Sequence, residues 1–271
     1  MQGRFYWTPI PGVEPDEPMP GKLIVLEGTD GVGRSTQTRL LRNWLEGSGL
    51  AVYDTGLIRG RLAGRHIQEA KEGHTMGRRT QSLYYATDFA DRLENEILPA
   101  LRAGYVVLTD RYIYSLMARA AVRGMERDWL RKLYGFALRP DLVLYLQISI
   151  EKLIPRVLAS GGYDYWESGM DYISAENMHD AFVKHQTALL QEFDHMAKEY
   201  DFAVIDATRA IEDVFHSLQT EVKSVVEDMS PSEVPFAEFM RDVMPLERDE
   251  PEPGSVLETL RDFFSSMIED A

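Results

Sequence analysis

The 271-residue chain, 44% hydrophobic and 27% charged, is long enough to bury a full core, has no apolar run near the roughly 20 residues of a membrane span, and opens without a signal peptide's basic and apolar regions. It has no cysteine, which excludes a disulfide framework and thiolate metal sites and points to a reducing, cytoplasmic home. Of the formal charge of −15, residues 221–271 hold −10 (14 acidic and 4 basic side chains), so Arg59, Arg61, Arg65, Arg78 and Arg79 remain able to bind anions, while the lack of a basic face interleaved with aromatics excludes extended nucleic acid.

Five of the 13 prolines lie in residues 9–20 and five in residues 231–253. Residues 1–20 therefore read as a proline-rich arm, 21–228 as a compact domain and 229–271 as an acidic linker with a terminal helix. The first apolar run is KLIVLEG (22–28), followed by the glycine-rich GTDGVGRST (28–36) and a helical pattern with Leu40, Leu41, Trp44 and Leu45 on one stripe. AVYDTG (51–56), YVVLTD (105–110), DLVLYLQI (141–148) and FAVIDA (202–207) are further near-continuous apolar runs, as expected of strands covered on both faces. Their alternation with helical segments predicts an α/β fold, a doubly wound five-stranded parallel sheet whose ligands collect at the carboxyl ends of the strands. In SVLETLRDFFSSMIED (255–270), Ser255 and Glu258 have capping-box spacing and Val256, Leu257, Leu260, Phe263, Phe264 and Met267 form an apolar stripe, so a C-terminal helical extension is expected to dock on its own domain, a second copy or another protein. A homodimer is the default expectation.

The loop at 28–36 has the G-x-x-x-x-G-K-[ST] spacing of a phosphate-binding loop, with Arg34 in place of lysine. Gly28, Gly31 and Gly33 let the backbone N–H groups of Asp30, Val32 and their neighbours curl around phosphate oxygens, while the following helix adds a favourable dipole at Ser35 and Thr36. Ser35 would offer its hydroxyl to Mg²⁺. The six histidines show no metal spacing and most read as exposed helix residues, and Asp164, Glu167 and Asp171 read as a solvated acidic loop.

LIVLEGTDGVGRSTQ resembles the opening of the thymidylate kinase family, E-G-x-D-G-x-G-K-[ST]-[TQ]. LYYATDFADRLENEILPALRAGYVVLTDRY resembles its L-F-A-x-D-R helix, P-A-L-x-x-G turn and D-R-Y strand end, while LRPDLVLYLQI, GGYDYWES and VIDATRAIEDV follow in the family's order over residues 22–218. The resemblance implies a P-loop nucleoside monophosphate kinase using ATP and Mg²⁺ on nucleotide substrates, dTMP first. It implies catalytic roles for Arg34, Asp110 and Arg111, metal contacts from Ser35 and Asp110, and an acceptor side of Asp30, Tyr85, Arg92, Arg111, Tyr112, Ser115 and Arg119. Tyr163, Asp164, Tyr165, Trp166 and Glu167 fall in the lid. The departures are specific: Phe89 stands at the arginine of L-F-A-x-D-R, with Arg92 three residues on. Tyr165 replaces the lid arginine, Leu57 stands at the acidic position after the second strand, and Arg119 and Ala120 replace a tyrosine and a glutamine after D-R-Y. They leave open a nucleotide-binding protein without phosphotransfer and a kinase with a different acceptor.

Overall fold

The computed structural model describes residues 4–14, 17–57, 60, 63, 66–67, 69–70 and 76–229, all within one compact unit, Met1–Glu233. The expected tail helix and Arg59, Arg61 and Arg65 lie outside the described residues. Five strands, β1 (Lys22–Glu27), β2 (Val52–Gly56), β3 (Val106–Asp110), β4 (Leu142–Gln147) and β5 (Ala203–Asp206), each fall inside one of the five apolar runs. They form one all-parallel sheet in the order β2-β3-β1-β4-β5.

The helices are α1 (Arg34–Gly47), α2 (Arg78–Arg92), α3 (Leu98–Arg102), α4 (Ile113–Ala121), α5 (Arg127–Leu133), α6 (Ile150–Ala159), α7 (Met178–Glu199) and α8 (Ile211–Val226), with a π turn over Leu93–Ile97 joining α2 to α3. Ile24, Leu26, Val106, Leu108, Leu144 and Leu146 share one cluster with Leu41 and Leu45 of α1 and Leu218 and Val222 of α8. The intervening Leu23, Val25, Val107 and Tyr145 are also buried, so the strands are covered on both sides, which is why the runs are continuous rather than alternating. On the outer strand β5 the cover thins, and Val204 is exposed while Ile205 is buried.

The described part of the proline-rich arm packs on this domain. Phe5 forms a backbone bridge with Leu138, and Phe5, Ile10, Val13 and Met19 are buried. The arm's prolines limit backbone pairing, but its apolar side chains still find cover.

Candidate active site

The site begins where β1 ends. Gly31 and Gly33 have φ of 78° and 104°, a left-handed conformation that a side chain resists. A Cβ at Gly31 would also stand 2.6 Å from Val157 of α6. Gly33 starts α1 without a side-chain cap, so the helix presents unsatisfied N–H groups at the mouth of the loop, suited to phosphate oxygens. Val32 is buried and anchors the loop, while Gly31, Gly33 and Ser35 are exposed at its rim and Thr36 is half-buried. Arg156 of α6 braces the turn from behind, donating to the Val32 carbonyl at 3.2 Å and the Ala207 carbonyl at 2.8 Å. Nothing in the sequence marks Arg156 for this task.

Arg34 is buried and turned inward. Its Nε donates to Asp110 at 2.7 Å, and one terminal nitrogen donates to the Gly28 carbonyl at 2.5 Å and to the Thr29 carbonyl. The strand register explains the partner: β1 pairs with β3 so that Leu26 lies opposite Asp110, bringing the end of β3 beside the loop. Where the sequence pattern implies a cation reaching outward to phosphates, the guanidinium instead satisfies itself on the carboxylate and carbonyls nearest to it. An ammonium has no planar fork with which to make this set.

Asp30 gathers the cations of the site. Its carboxylate accepts from Arg111, from Arg119 at 2.6 Å, and lies 3.7 Å from Arg34. Arg111 itself has φ of 73°, fixed by its N–H on the Leu26 carbonyl and by Thr109 Oγ1 on its own carbonyl. Burial, aided by the nearby charge of Arg119, lowers the Arg111 guanidinium to about 9, so it stays charged at neutral pH but gains from an added anion. Three guanidiniums against Asp30, with Asp110 also on Arg34, leave this junction with excess positive charge.

From the junction a cavity of about 270 Å³ runs between α2, α4, α7 and the lid. Asp30, Arg111 and Arg119 line one part of it, with Tyr85, Gln81 and Arg78 of α2, and Asp164, Trp166 and Glu167 of the lid. Tyr163 instead packs its ring on Phe182 and its hydroxyl on His179, and Tyr165 lies edge-on to Trp166.

Three residues expected on the acceptor side lie elsewhere. Tyr112 is wholly buried against Phe89, with its hydroxyl donating to the Leu138 carbonyl. Arg92 is equally buried, ion-paired with Asp88 at 3.4 Å: Tyr85, Asp88, Phe89 and Arg92 share one face of α2, and that face lines the cavity at Tyr85 but is packed into the core from Asp88 to Arg92. Ser115 donates its hydroxyl to Glu27 at 2.5 Å.

Glu27 is the last residue of β1. It accepts from the backbone N–H groups of Tyr112 (2.8 Å) and Ser115 (3.2 Å), thereby capping α4, which has no cap from its own N-terminal residue. Burial raises Glu27 from about 4.5 to about 7, against the lowering pull of these hydrogen bonds. A raised folded-state value gives stability that is full below the unfolded value and is lost as pH rises through 7. His185 acts in the opposite sense: burial, Arg123 and Arg119 lower it to about 3, so its stability is present above 6.5 and lost on acidification. The two nearly cancel between pH 4.5 and 6.5. Glu27→Gln is therefore expected to unmask the histidine, with melting temperature falling as pH drops from 6.5 to 4.5 and the parent changing less over that range. A parallel profile in both proteins would show that Glu27 is ionised in the fold.

The lid is held by Arg123, which no sequence motif marks. Its guanidinium makes a two-point pair with Asp171 (2.8 and 3.0 Å), donates to the Arg119 and Trp166 carbonyls at 3.1 Å, and lies over the Tyr172 ring. Tyr172 in turn bonds His185 Nδ1 at 2.8 Å, and Gly169 leaves room for both rings. Asp171 is thus not part of a solvated acidic loop, and His185 is not an exposed helix residue. Arg123→Met is expected to cost up to about 3 kcal/mol by leaving the half-buried Asp171 carboxylate alone. Combining it with Asp171→Leu should recover most of that loss in thermal melts, and no recovery would mean that the carbonyl contacts dominate.

Ser35, Asp54 and Asp110 share a second cleft at the loop's other side, of about 370 Å³. Hydroxyl and carboxylate oxygens suit Mg²⁺, which takes few protein ligands and completes its octahedron with water and phosphate. Among the described residues no group of three or more His, Cys, Asp or Glu could hold a metal ion by itself, and no helix is long and apolar enough to cross a membrane.

A five-stranded parallel sheet carrying a glycine-rich phosphate loop between β1 and α1 is the fold of a P-loop kinase. The thymidylate kinase family matches residues 26–218, and the chain belongs to it. It is 37% identical over 198 residues to a probable thymidylate kinase 2 of Saccharolobus solfataricus, covering 72% of this chain and 92% of that one. It is 30% identical over 212 residues to a probable thymidylate kinase of Pyrococcus abyssi (76% and 97%) and 34% identical over 215 residues to a thymidylate kinase of Clavibacter michiganensis (77% and 97%).

Proposed function

We propose that this protein transfers the γ-phosphate of ATP to dTMP, giving dTDP and ADP. The observation that carries the reading is the Asp30–Arg111–Arg119 junction, which joins the mouth of the phosphate loop to the lidded cavity walled by Tyr85. The loop amides of residues 28–36 hold the donor's phosphates. Arg111 and Arg119 turn from Asp30 to the acceptor's phosphate, and the base lies on Tyr85. An acceptor phosphate oxygen attacks the γ-phosphorus in line, the bond to the β-phosphate oxygen breaks, and the negative charge spread over the transferring group is met by Arg119 and by Arg34, which turns out from Asp110 and the Gly28 and Thr29 carbonyls when the phosphates bind. Ser35 and Asp110 would hold Mg²⁺, which supplies further charge neutralisation across the donor phosphates. The lid, fixed by Arg123, keeps water from competing as acceptor.

The test is ADP release from Mg-ATP with each nucleoside monophosphate, alongside ligand-induced melting shifts. Turnover is expected first with dTMP. Melting shifts without turnover on any acceptor would make this a nucleotide-binding protein without phosphotransfer, and turnover confined to another acceptor would correct the substrate. In the same reading the protein works in the cytoplasm as a homodimer, covering the exposed Leu83 and Tyr84 on the outer side of α2. Sedimentation of a Leu83→Glu variant as the same species as the parent would remove that face from the interface.

A further inference from the structure

We propose that Gln81, assisted by Arg78, reads the edge of the acceptor's base and selects a pyrimidine that presents an N–H beside a carbonyl oxygen. The inference rests on the reading of the 270 Å³ cavity as the acceptor pocket. Most polar groups lining that cavity are already committed. Arg111 and Arg119 are taken up by Asp30, and Arg123 by Asp171 and two carbonyls. Asp164 accepts the N–H groups of Trp166 and Glu167, His185 is paired with Tyr172, and Ser82 donates to the Arg78 carbonyl. Among the described residues the Gln81 side-chain amide makes no hydrogen bond, although it lines the cavity, and unlike the Tyr85 hydroxyl and the Glu167 carboxylate there it offers a donor and an acceptor side by side. Arg78 spends one terminal nitrogen on the Arg123 carbonyl at 2.8 Å, leaving further N–H donors.

Position along α2 gives the amide its task. Gln81 and Tyr85 are four residues apart and share one side of the helix, so a ring lying on Tyr85 brings its edge within about one helical turn, roughly 5.4 Å, of the amide. A primary amide offers a carbonyl acceptor and an N–H donor side by side, the complement of a ring N–H next to a ring carbonyl. The amide alone could turn over to suit an amino-substituted pyrimidine. Arg78 cannot, since a guanidinium only donates, and it favours a carbonyl oxygen over an amino group at that place. The Phe89 substitution noted in the sequence fits this arrangement, for Phe89 and Arg92 face the core and leave the base edge to the preceding turn of α2.

The experiment compares the parent, Gln81→Ala and Gln81→Glu with Mg-ATP and either dTMP or dCMP, by steady-state kinetics and by equilibrium titration of each monophosphate, with melting curves to verify folding. Gln81→Ala is expected to lower kcat/KM for dTMP about 10- to 100-fold through the acceptor KM, with the KM for ATP unchanged. Gln81→Glu should lower it further, because a carboxylate only accepts, and should cut the dTMP-to-dCMP preference at least about tenfold. A kcat/KM for dTMP within twofold of the parent in Gln81→Ala, or an unchanged preference in Gln81→Glu, overturns the proposal. If the parent binds dTMP without turning it over, the reaction proposed above fails and the same ratios in the titrations decide Gln81. If the parent binds neither monophosphate, both readings fall.

Discussion

Arg34→Ala is expected to reduce kcat by about 10²–10³, the scale for losing one group that stabilises developing charge in a water-poor site. Two separate losses contribute. The transferring phosphate loses a cation at the loop, and Asp110 with the Gly28 and Thr29 carbonyls loses the donor that holds the loop's curl. Arg34→Lys separates them. An ammonium restores the charge but cannot hold a carboxylate and two carbonyls with the same planar geometry, so partial activity is expected with a lower melting temperature than the parent. Steady-state kinetics on both variants check this. Unchanged kcat in Arg34→Ala would remove the residue from the chemistry, and full activity in Arg34→Lys would show that its shape is immaterial.

Replacement of Arg111 should produce the second large loss. A charge-assisted contact to a phosphate is worth about 1.5–3 kcal/mol, so Arg111→Ala is expected to lower kcat/KM for the acceptor roughly 10- to 150-fold. Arg111→Gly isolates the chemistry from the fold. Glycine accepts the left-handed backbone at this position without strain, so activity should fall as far while the melting temperature holds or rises. An effect confined to the KM for ATP would mean that donor and acceptor sides are assigned the wrong way round.

Much of this architecture is written locally. A strand buried on both faces needs an unbroken apolar run, and a helix needs an apolar stripe, so five runs and their intervening stripes define the sheet and its helices before any contact is known. The phosphate loop is equally legible, since Gly31 and Gly33 occupy positions of positive φ that glycine adopts without strain. Local pattern does not say where a side chain points once the elements pack. Tyr112, Ser115 and Arg92 sit in motif-bearing stretches yet face the core, because the packing around α2 and a wholly buried Glu27 decide their partners. Arg123 and His185 carry no motif at all. They enter the site because α4 and α7 converge under the lid, joining residues 48 positions apart in the Arg123–Asp171 pair and 13 apart in Tyr172–His185. The loop cation shows both levels at once: its charge is read from one letter, whereas its inward turn depends on the register that sets Asp110 beside β1. Sequence fixes the backbone's options through local sterics and periodicity, and only the packed sheet decides which distant groups share a low-dielectric space and hence what their charges do.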